Sequence, residues 1–224
     1  MKIVIIGAGS AFGGRIAVDV LSRDPLQEST IALFDIDEGR LKIVFDYVQK
    51  VIDSNNLPAK VVASTNREDL LPNADRVLIA IAVGGPAYHG HPFEAEFNIP
   101  RKYGITQTVA DTMGPGGLLR ALRSAPVMQD MIDDINRLAP NAIIMNYTNP
   151  MAILTWVLND RAQVPLVGLC HGVTGNFKMF AGLLDIPAEE LEFIAAGINH
   201  MTWFIKLEHK HKNVLPIAHT TTLV

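Results

Sequence analysis

The sequence of 224 residues has one cysteine, no excess of positive charge and no apolar run of membrane-spanning length. A single cysteine cannot build a disulfide framework, which favours a reducing compartment. The net charge of −4, with lysine and arginine scattered along the chain, gives no basic surface for nucleic acid or an anionic membrane. The stretch before Gly7 is too short for a secretory signal peptide. These absences predict a cytoplasmic protein without nucleic-acid or membrane partners.

Short apolar runs alternate with amphipathic stretches over most of the chain, which is typical of a parallel sheet covered by helices. We therefore predict an α/β fold, a Rossmann-like doubly wound sheet. Strands are predicted at 3–6, 30–35, 61–64, 77–82, 142–145 and 166–169, and helices at 16–21, 39–55, 67–71, 118–138, 151–159 and 177–184. Residues 87–117, rich in Gly, Pro and His, are predicted to form an irregular functional loop, and Pro126 to kink the long helix.

From residue 191 the pattern changes to two strand-like runs, 191–196 and 201–207. The rhythm of strand and helix has ended by then, so these runs belong to a different kind of sheet. We predict a Rossmann-like nucleotide-binding domain at 1–187. Residues 188–224 are predicted to begin a second, α+β domain that is truncated and would carry substrate-binding and catalytic groups.

The turn after the first strand, Gly7-Ala-Gly9-Ser-Ala-Phe-Gly13-Gly14, is typical of dinucleotide binding. Gly7 allows the tight turn. Gly9 lets the backbone approach a pyrophosphate, which would lie beside Ser10 at the N-terminus of the next helix. These three residues are the predicted phosphate contacts.

Asp35, at the end of the second strand, is the predicted partner of the ribose hydroxyls. Its carboxylate would repel a 2′-phosphate, which favours NAD over NADP. Phe12 stands where the fingerprint has its third glycine, and the alternative is therefore a glycine turn that only packs.

A thiol and an imidazole follow the sixth strand. Cys170 and His171 come directly after it, and His200 ends the segment Gly197-Ile-Asn-His200. Because ligands bind at the carboxyl ends of parallel strands, a thiol and an imidazole there could form a metal half-site or a nucleophile pair. A lone cysteine is also often a small buried hydrophobe, so the residues alone leave these alternatives open.

Three segments together resemble glycoside hydrolase family four, the glycosidases that depend on NAD and a divalent metal. They are Asn146-Tyr-Thr-Asn149-Pro150, Gly168-Leu-Cys170-His171-Gly172 and Gly197-Ile-Asn-His200. The family signature runs from Pro140 through Asn149-Pro150 and Thr155 to Gly168-x-Cys170, and this chain departs from it at Pro165, where the family usually has a charged residue. The segments Gly114-Pro-Gly-Gly117 and Ala121-Leu-Arg123 are also similar to the family. The resemblance is to the N-terminal part only, and it implies an architecture like that of lactate and malate dehydrogenases.

The resemblance implies hydrolysis by redox elimination, which is an exception to the two-carboxylate mechanism of most glycosidases. In that family NAD⁺ takes a hydride from sugar C3, a base removes the acidified C2 proton, and the C1 substituent is eliminated. Water then adds and NADH returns the hydride. The C2 base, usually a tyrosine, belongs to the part of the family fold beyond this chain, and the full-length form is expected to be a homo-oligomer.

The resemblance also assigns the thiol and the imidazole. Cys170 and His200 match the family's metal ligands, and the metal is typically Mn²⁺. A thiolate and an imidazole alone would suit Zn²⁺ or Fe²⁺ better, so the identity of the metal comes from the family and not from the residues.

Three further residues match positions near the sugar. Asn149 matches a residue that bridges substrate hydroxyls and the nicotinamide, and the alternative is a cap for the helix after Pro150. His171 occupies a position that varies with substrate. Asp111 would be a general acid or an orienting group, the alternative being a solvated loop carboxylate. Asp111 and His171 are thus the candidate catalytic residues, and Asn149 and His171 the candidate substrate contacts.

The residue pattern also bears on the substrate. Cys170-His171-Gly172 resembles the α-glucuronidase and α-galacturonidase branch, whereas Cys-His-Ser marks α-galactosidases and Cys-His-Glu α-glucosidases. No arginine follows the fourth strand at Ala82-Val83-Gly84, so an unphosphorylated α-glycoside is expected. Two other functions remain open, an NAD-dependent dehydrogenase of the malate or lactate type and a non-catalytic NAD-binding remnant.

Overall fold

Six parallel strands form the centre of the first compact unit, Met1–Leu169. The computed structural model describes residues 1–84, 90–107 and 112–217. The strands are β1 (Lys2–Ile6), β2 (Thr30–Phe34), β3 (Lys60–Ser64), β4 (Arg76–Ile79), β5 (Ile143–Asn146) and β6 (Leu166–Gly168). Their order, β3-β2-β1-β4-β5-β6, is the order of dinucleotide-binding Rossmann sheets and confirms the predicted fold class.

Helices cover both faces of this sheet, as the doubly wound prediction requires. They are α1 (Ala11–Leu21), α2 (Glu38–Ser54), α3 (Arg67–Leu70), α4 (Phe93–Lys102), α5 (Gly114–Leu138) and α6 (Met151–Asn159). Alternate residues of β1 enter different cores: Ile3 and Ile5 pack with α1 and α2, whereas Val4 and Ile6 pack with α3, α5 and α6. No helix in the described part of the chain is both long enough and apolar enough to cross a membrane.

The prediction of an irregular segment at 87–117 was wrong for its described part, because α4 lies within it and α5 begins at Gly114. Phe93, Glu96 and Pro100 are the buried positions of α4. Helices are predicted from regularly spaced apolar residues, and two of the three buried positions of α4 are a glutamate and a proline. The sequence therefore did not show this helix. Pro126 lies within α5, which is one helix from Gly114 to Leu138, and the kink there stays a prediction.

The second compact unit, Cys170–Val224, contains α7 (Gly172–Leu184) and an antiparallel sheet. Its strands are β7 (Leu191–Ile198), β8 (Met201–His209) and β9 (Lys212–Asn213). Aromatic pairs join helix and sheet, with ring centroids 4.5 Å apart for Phe177 and Phe193 and 5.1 Å apart for Phe180 and Phe204. This packing places α7 with the sheet, so the compact units divide after Leu169. The folding-domain boundary at 187 stays a prediction.

The other face of the β7–β8 hairpin is apolar and exposed. We call it the exposed hairpin face, and it consists of Ile194, Ile198, Met201 and Trp203 together with Ile205 at the register shift. Trp203 and Ile205 keep 61% and 62% of their surface in contact with solvent. Apolar side chains of this size on adjacent strands are typical of a surface that another polypeptide covers.

Candidate functional site

The turn after β1 has a backbone that only glycine fits at Gly7. This residue has φ +90°, and a Cβ atom would lie 2.2 Å from the carbonyl oxygen of Ala80. The backbone N–H groups of Gly7 and Ala8 both donate to the Phe34 carbonyl at 2.9 Å. The turn is therefore held between the ends of β2 and β4, at the edge where Rossmann sheets bind nucleotides.

Gly9 and Asp35 fit against each other. The Gly9 N–H donates to Asp35 Oδ2 at 2.9 Å, and a Cβ atom on Gly9 would lie 2.8 Å from the same carboxylate. The other oxygen, Oδ1, accepts the Asp37 N–H at 3.0 Å and lies 3.5 Å from Nη2 of Arg40. Each carboxylate oxygen has two lone pairs, so Oδ2 keeps one acceptor site for a ribose hydroxyl.

The imperfect fingerprint has a structural explanation. Gly13 takes over the close approach expected of the third glycine, because a Cβ atom there would lie 2.4 Å from the carbonyl oxygen of Ala8. Phe12 is exposed and meets the Tyr147 ring edge-to-face at 5.0 Å. Ser10 caps α1: its Oγ accepts the Gly13 N–H at 3.2 Å and donates to the Gly7 carbonyl at 3.0 Å. The last glycine of the fingerprint is therefore shifted by one residue, from position 12 to Gly13.

The Asn-Pro and Gly-x-Cys signature corresponds to packing between β5, β6 and α6. A Cβ atom on Gly168 would lie 2.2 Å from Met151 Sδ and 2.6 Å from Thr155 Oγ1. The buried Asn146 donates from Nδ2 to Thr155 Oγ1 at 3.1 Å. Asn149 Oδ1 accepts the N–H of Met151, the first residue of α6, at 3.3 Å.

A buried ion cluster between α4 and α5, which the sequence did not predict, supports the segment after β4. Glu96 pairs with Arg120 through Oε2 and with Arg123 through Oε1, the latter at 2.6 Å. Both guanidinium groups also lie over the Phe93 ring. Arg123 donates from Nε to the Val83 carbonyl at 2.9 Å. The cluster thereby holds the chain at Val83, just after β4, and it pairs Arg123 with the Glu96 carboxylate.

In the second unit, the two predicted metal ligands come together. A Cβ atom on Gly172 would lie 3.4 Å from Cys170 Sγ and 3.9 Å from His200 Cδ2, so both side chains are within 4 Å of one point. The Gly172 N–H donates to Cys170 Sγ at 3.3 Å, at the N-terminus of α7. The thiolate is the form of cysteine that binds metals.

The remaining predicted residues have different outcomes. His171 is the exposed N-cap residue of α7, and its carbonyl oxygen accepts the Gly175 N–H at 2.7 Å. Asp111 lies outside the described residues. Across the described ranges, no three His, Cys, Asp or Glu side chains form a group that could hold a metal ion. A metal held by Cys170 and His200 would therefore need ligands of another kind.

Comparison with known proteins gives matches along nearly the whole chain. A family model described as family 4 glycosyl hydrolase matches residues 2–186. An α-galactosidase from Rhizobium meliloti is 37% identical over 215 residues, which cover 95% of this chain and 43% of that protein. An α-galacturonidase from Bacillus subtilis is 34% identical, covering 97% of this chain and 49% of that protein.

A solved structure gives the same result. The 6-phospho-β-glucosidase from Thermotoga maritima, determined with manganese, NAD⁺ and glucose 6-phosphate, superimposes with a TM-score of 0.85 at 27% identity. The match covers 99% of this chain and 52% of that one. The chain thus spans about half the length of the relatives it matches.

Proposed function

Because the chain belongs to the family 4 glycosyl hydrolases, as its signature residues predicted, we propose that it forms the NAD-binding half and part of the metal site of a redox-elimination glycosidase. The observation that carries the proposal is the convergence of Cys170 and His200 on Gly172. A thiol and an imidazole at one point suit a metal ion, which a dehydrogenase of the malate or lactate type does not need. When bound, NAD⁺ would accept and return the hydride of sugar C3, and the metal would polarise the C2 and C3 oxygens.

The first unit would hold the nucleotide. Gly7, Gly9 and Ser10 shape the turn at the N-terminus of α1, where free N–H groups favour a pyrophosphate. Asp35 is buried and would accept a ribose hydroxyl through the free lone pair of Oδ2. The same carboxylate disfavours a 2′-phosphate, which supports NAD over NADP. Asn149 would bridge substrate and nicotinamide, as the matching residue of the family does.

The second unit would hold the metal. Cys170 would bind as the thiolate, stabilised by the Gly172 N–H, and His200 as the neutral imidazole. We propose Mn²⁺, the ion in the Thermotoga maritima relative. A free thiol that serves as a ligand must stay reduced, which supports the proposal of a cytoplasmic protein.

For the substrate we propose an unphosphorylated α-glycoside, with an α-galacturonide or α-glucuronide as the first choice. Cys170-His171-Gly172 supports that choice, and the α-galacturonidase from Bacillus subtilis is among the relatives. Arg123, the arginine next to Val83, is paired with Glu96 and donates to the Val83 carbonyl, which disfavours its use for a sugar phosphate. The exposed His171 would contact the sugar, and Asp111 would act as a general acid or an orienting group. An α-galactoside and an α-glucoside are the next substrates to test.

The test is the release of p-nitrophenol from the nitrophenyl α-galacturonide, α-glucuronide and α-galactoside, with NAD⁺ and Mn²⁺ each omitted in turn. Release that requires both cofactors and disappears in Cys170→Ser is the expected result. NADH accumulating in step with product would show a dehydrogenase. NAD⁺ binding without release would mean that the C2 base is outside these 224 residues and that this chain is half of an enzyme.

A further inference from the structure

One buried acceptor in the second unit has no hydrogen-bond partner. Of the side-chain nitrogen and oxygen atoms in the described residues, only Arg40 Nε and Asn199 Oδ1 are both buried and without such a bond. Arg40 Nε has a charged neighbour, since it lies 3.0 Å from Asp37 Oδ2. A buried acceptor without a donor is costly and calls for an explanation, of which a bound ion is one.

Asn199 directly precedes His200, one of the two proposed metal ligands. It forms the tight turn between β7 and β8 with His200, because Ile198 and Met201 are the last paired residues on either side. His200 has φ +61°, a left-handed conformation that closes the turn. Consecutive Cα atoms are about 3.8 Å apart, so the side chains of Asn199 and His200 start from neighbouring positions of the same turn.

The amide oxygen has the chemistry that the Cys170 and His200 pair lacks. A thiolate and an imidazole favour Zn²⁺ and Fe²⁺, whereas carbonyl and carboxylate oxygens suit Mn²⁺. Among the described residues, no third His, Cys, Asp or Glu completes the group. We propose that Asn199 Oδ1 is a ligand of the bound metal and supplies the hard oxygen that selects Mn²⁺. This inference rests on the proposed metal site.

The experiment measures the dissociation constants of Mn²⁺ and Zn²⁺ by calorimetry, and follows Mn²⁺ by its electron paramagnetic resonance signal. Asn199→Ala should weaken Mn²⁺ binding by about tenfold or more, the usual effect of removing a group that supports a metal site. Zn²⁺ binding should be nearly unchanged, because Zn²⁺ is held by sulfur and nitrogen. Asn199→Asp, which keeps an oxygen and adds charge, should bind Mn²⁺ at least as tightly as the wild type.

The matched control is Asn213→Ala in the same unit, whose Oδ1 already accepts the Leu215 N–H at 3.0 Å. It should leave both metals unchanged. The inference on Asn199 is overturned if Asn199→Ala weakens both metals equally, which would mean a structural role, or if it weakens neither. In either case, the proposed function would still be supported if the wild type binds Mn²⁺ and Cys170→Ser does not. A wild-type chain that binds no Mn²⁺ would overturn both.

Discussion

Asp35 shapes the glycine turn, and the same carboxylate is the proposed partner of a ribose hydroxyl. Its Oδ2 accepts the Gly9 N–H at 2.9 Å, so the side chain holds the turn in addition to its proposed role at the nucleotide. The sequence predicted the role at the nucleotide from the position of an acidic residue at a strand end. The role in the turn depends on a contact between residues 26 apart in the chain, which no local pattern contains.

Gly9→Ala should weaken NAD⁺ binding by about tenfold or more, because the loss of one hydrogen bond and the shift of the loop cost at least about 1.4 kcal/mol. The added Cβ would lie 2.8 Å from the Asp35 carboxylate, and the turn must move. Calorimetric titration with NAD⁺ checks this. Gly39→Ala is the control, since its Cβ would make an ordinary contact 3.5 Å from Asp37 Oδ1. Equal affinities for NAD⁺ in both variants would contradict the expected role of Gly9.

The site residues differ in how far the sequence alone could locate them. Gly7, Gly9 and Asp35 follow from a strand-turn-helix pattern that has one structural solution. The approach of Cys170 to His200 could be inferred only through the family resemblance, because the turn of a long hairpin brings His200 back to the N-terminus of α7. Asn199 gave no signal at all, since an unpaired buried oxygen is visible only in three dimensions.

Helix α4 depends on an ion cluster and not on an apolar stripe. Glu96 is 3% exposed and faces Arg120 and Arg123 from α5. Patterns that rely on apolar periodicity therefore overlook the helix, although Phe93, Glu96 and Pro100 are correctly spaced for one buried face. The strands of the parallel sheet were predictable for the opposite reason, since buried strands are continuous apolar runs.

Glu96→Gln should lower the free energy of unfolding by about 3–5 kcal/mol, because it leaves two arginines without their buried carboxylate. Urea unfolding followed by circular dichroism measures the change. Glu94→Gln on the exposed side of the same helix is the control and should have little effect. Similar midpoints for the two variants would show that α4 does not depend on the cluster.

The start of helix α2 should make the protein sensitive to acid. The Arg40 backbone N–H, which donates to Asp37 Oδ1 at 2.9 Å, and the nearby guanidinium hold the pKa of Asp37 below its ordinary value of 3.8. The pKa of Asp37 is lower in the folded state than in the unfolded state. Its ionised carboxylate therefore stabilises the fold at pH values above the unfolded-state pKa, and this stabilisation is lost as the pH falls through the folded-state pKa.

Thermal unfolding at pH 5 and pH 3 tests this. Asp37→Asn and Asp37→Ser keep a cap without a titrating group. Their melting temperatures should fall less between the two pH values than that of the wild type. The same decrease in all three proteins would rule out Asp37 as the source.

At the scale of the whole molecule, the exposed hairpin face should cause self-association or poor solubility of this chain on its own. Size-exclusion chromatography with light scattering should show oligomers, and the double variant Ile194→Lys/Trp203→Lys should shift the protein to the monomer. Trp156→Lys in the first unit is the control, because this tryptophan is 76% exposed but lies on helix α6 and not on the hairpin. A wild-type monomer that melts cooperatively would contradict the prediction.

The division between the two compact units follows a division of chemistry. Every residue proposed to touch the nucleotide lies in the first unit, before Cys170. Both proposed metal ligands lie in the second unit, after Leu169. A recombination breakpoint at this peptide bond would exchange the proposed metal ligands and His171 between related genes and leave the proposed nucleotide contacts unchanged. The position after Leu169 is therefore a junction at which chimeras could be made without rebuilding the cofactor half.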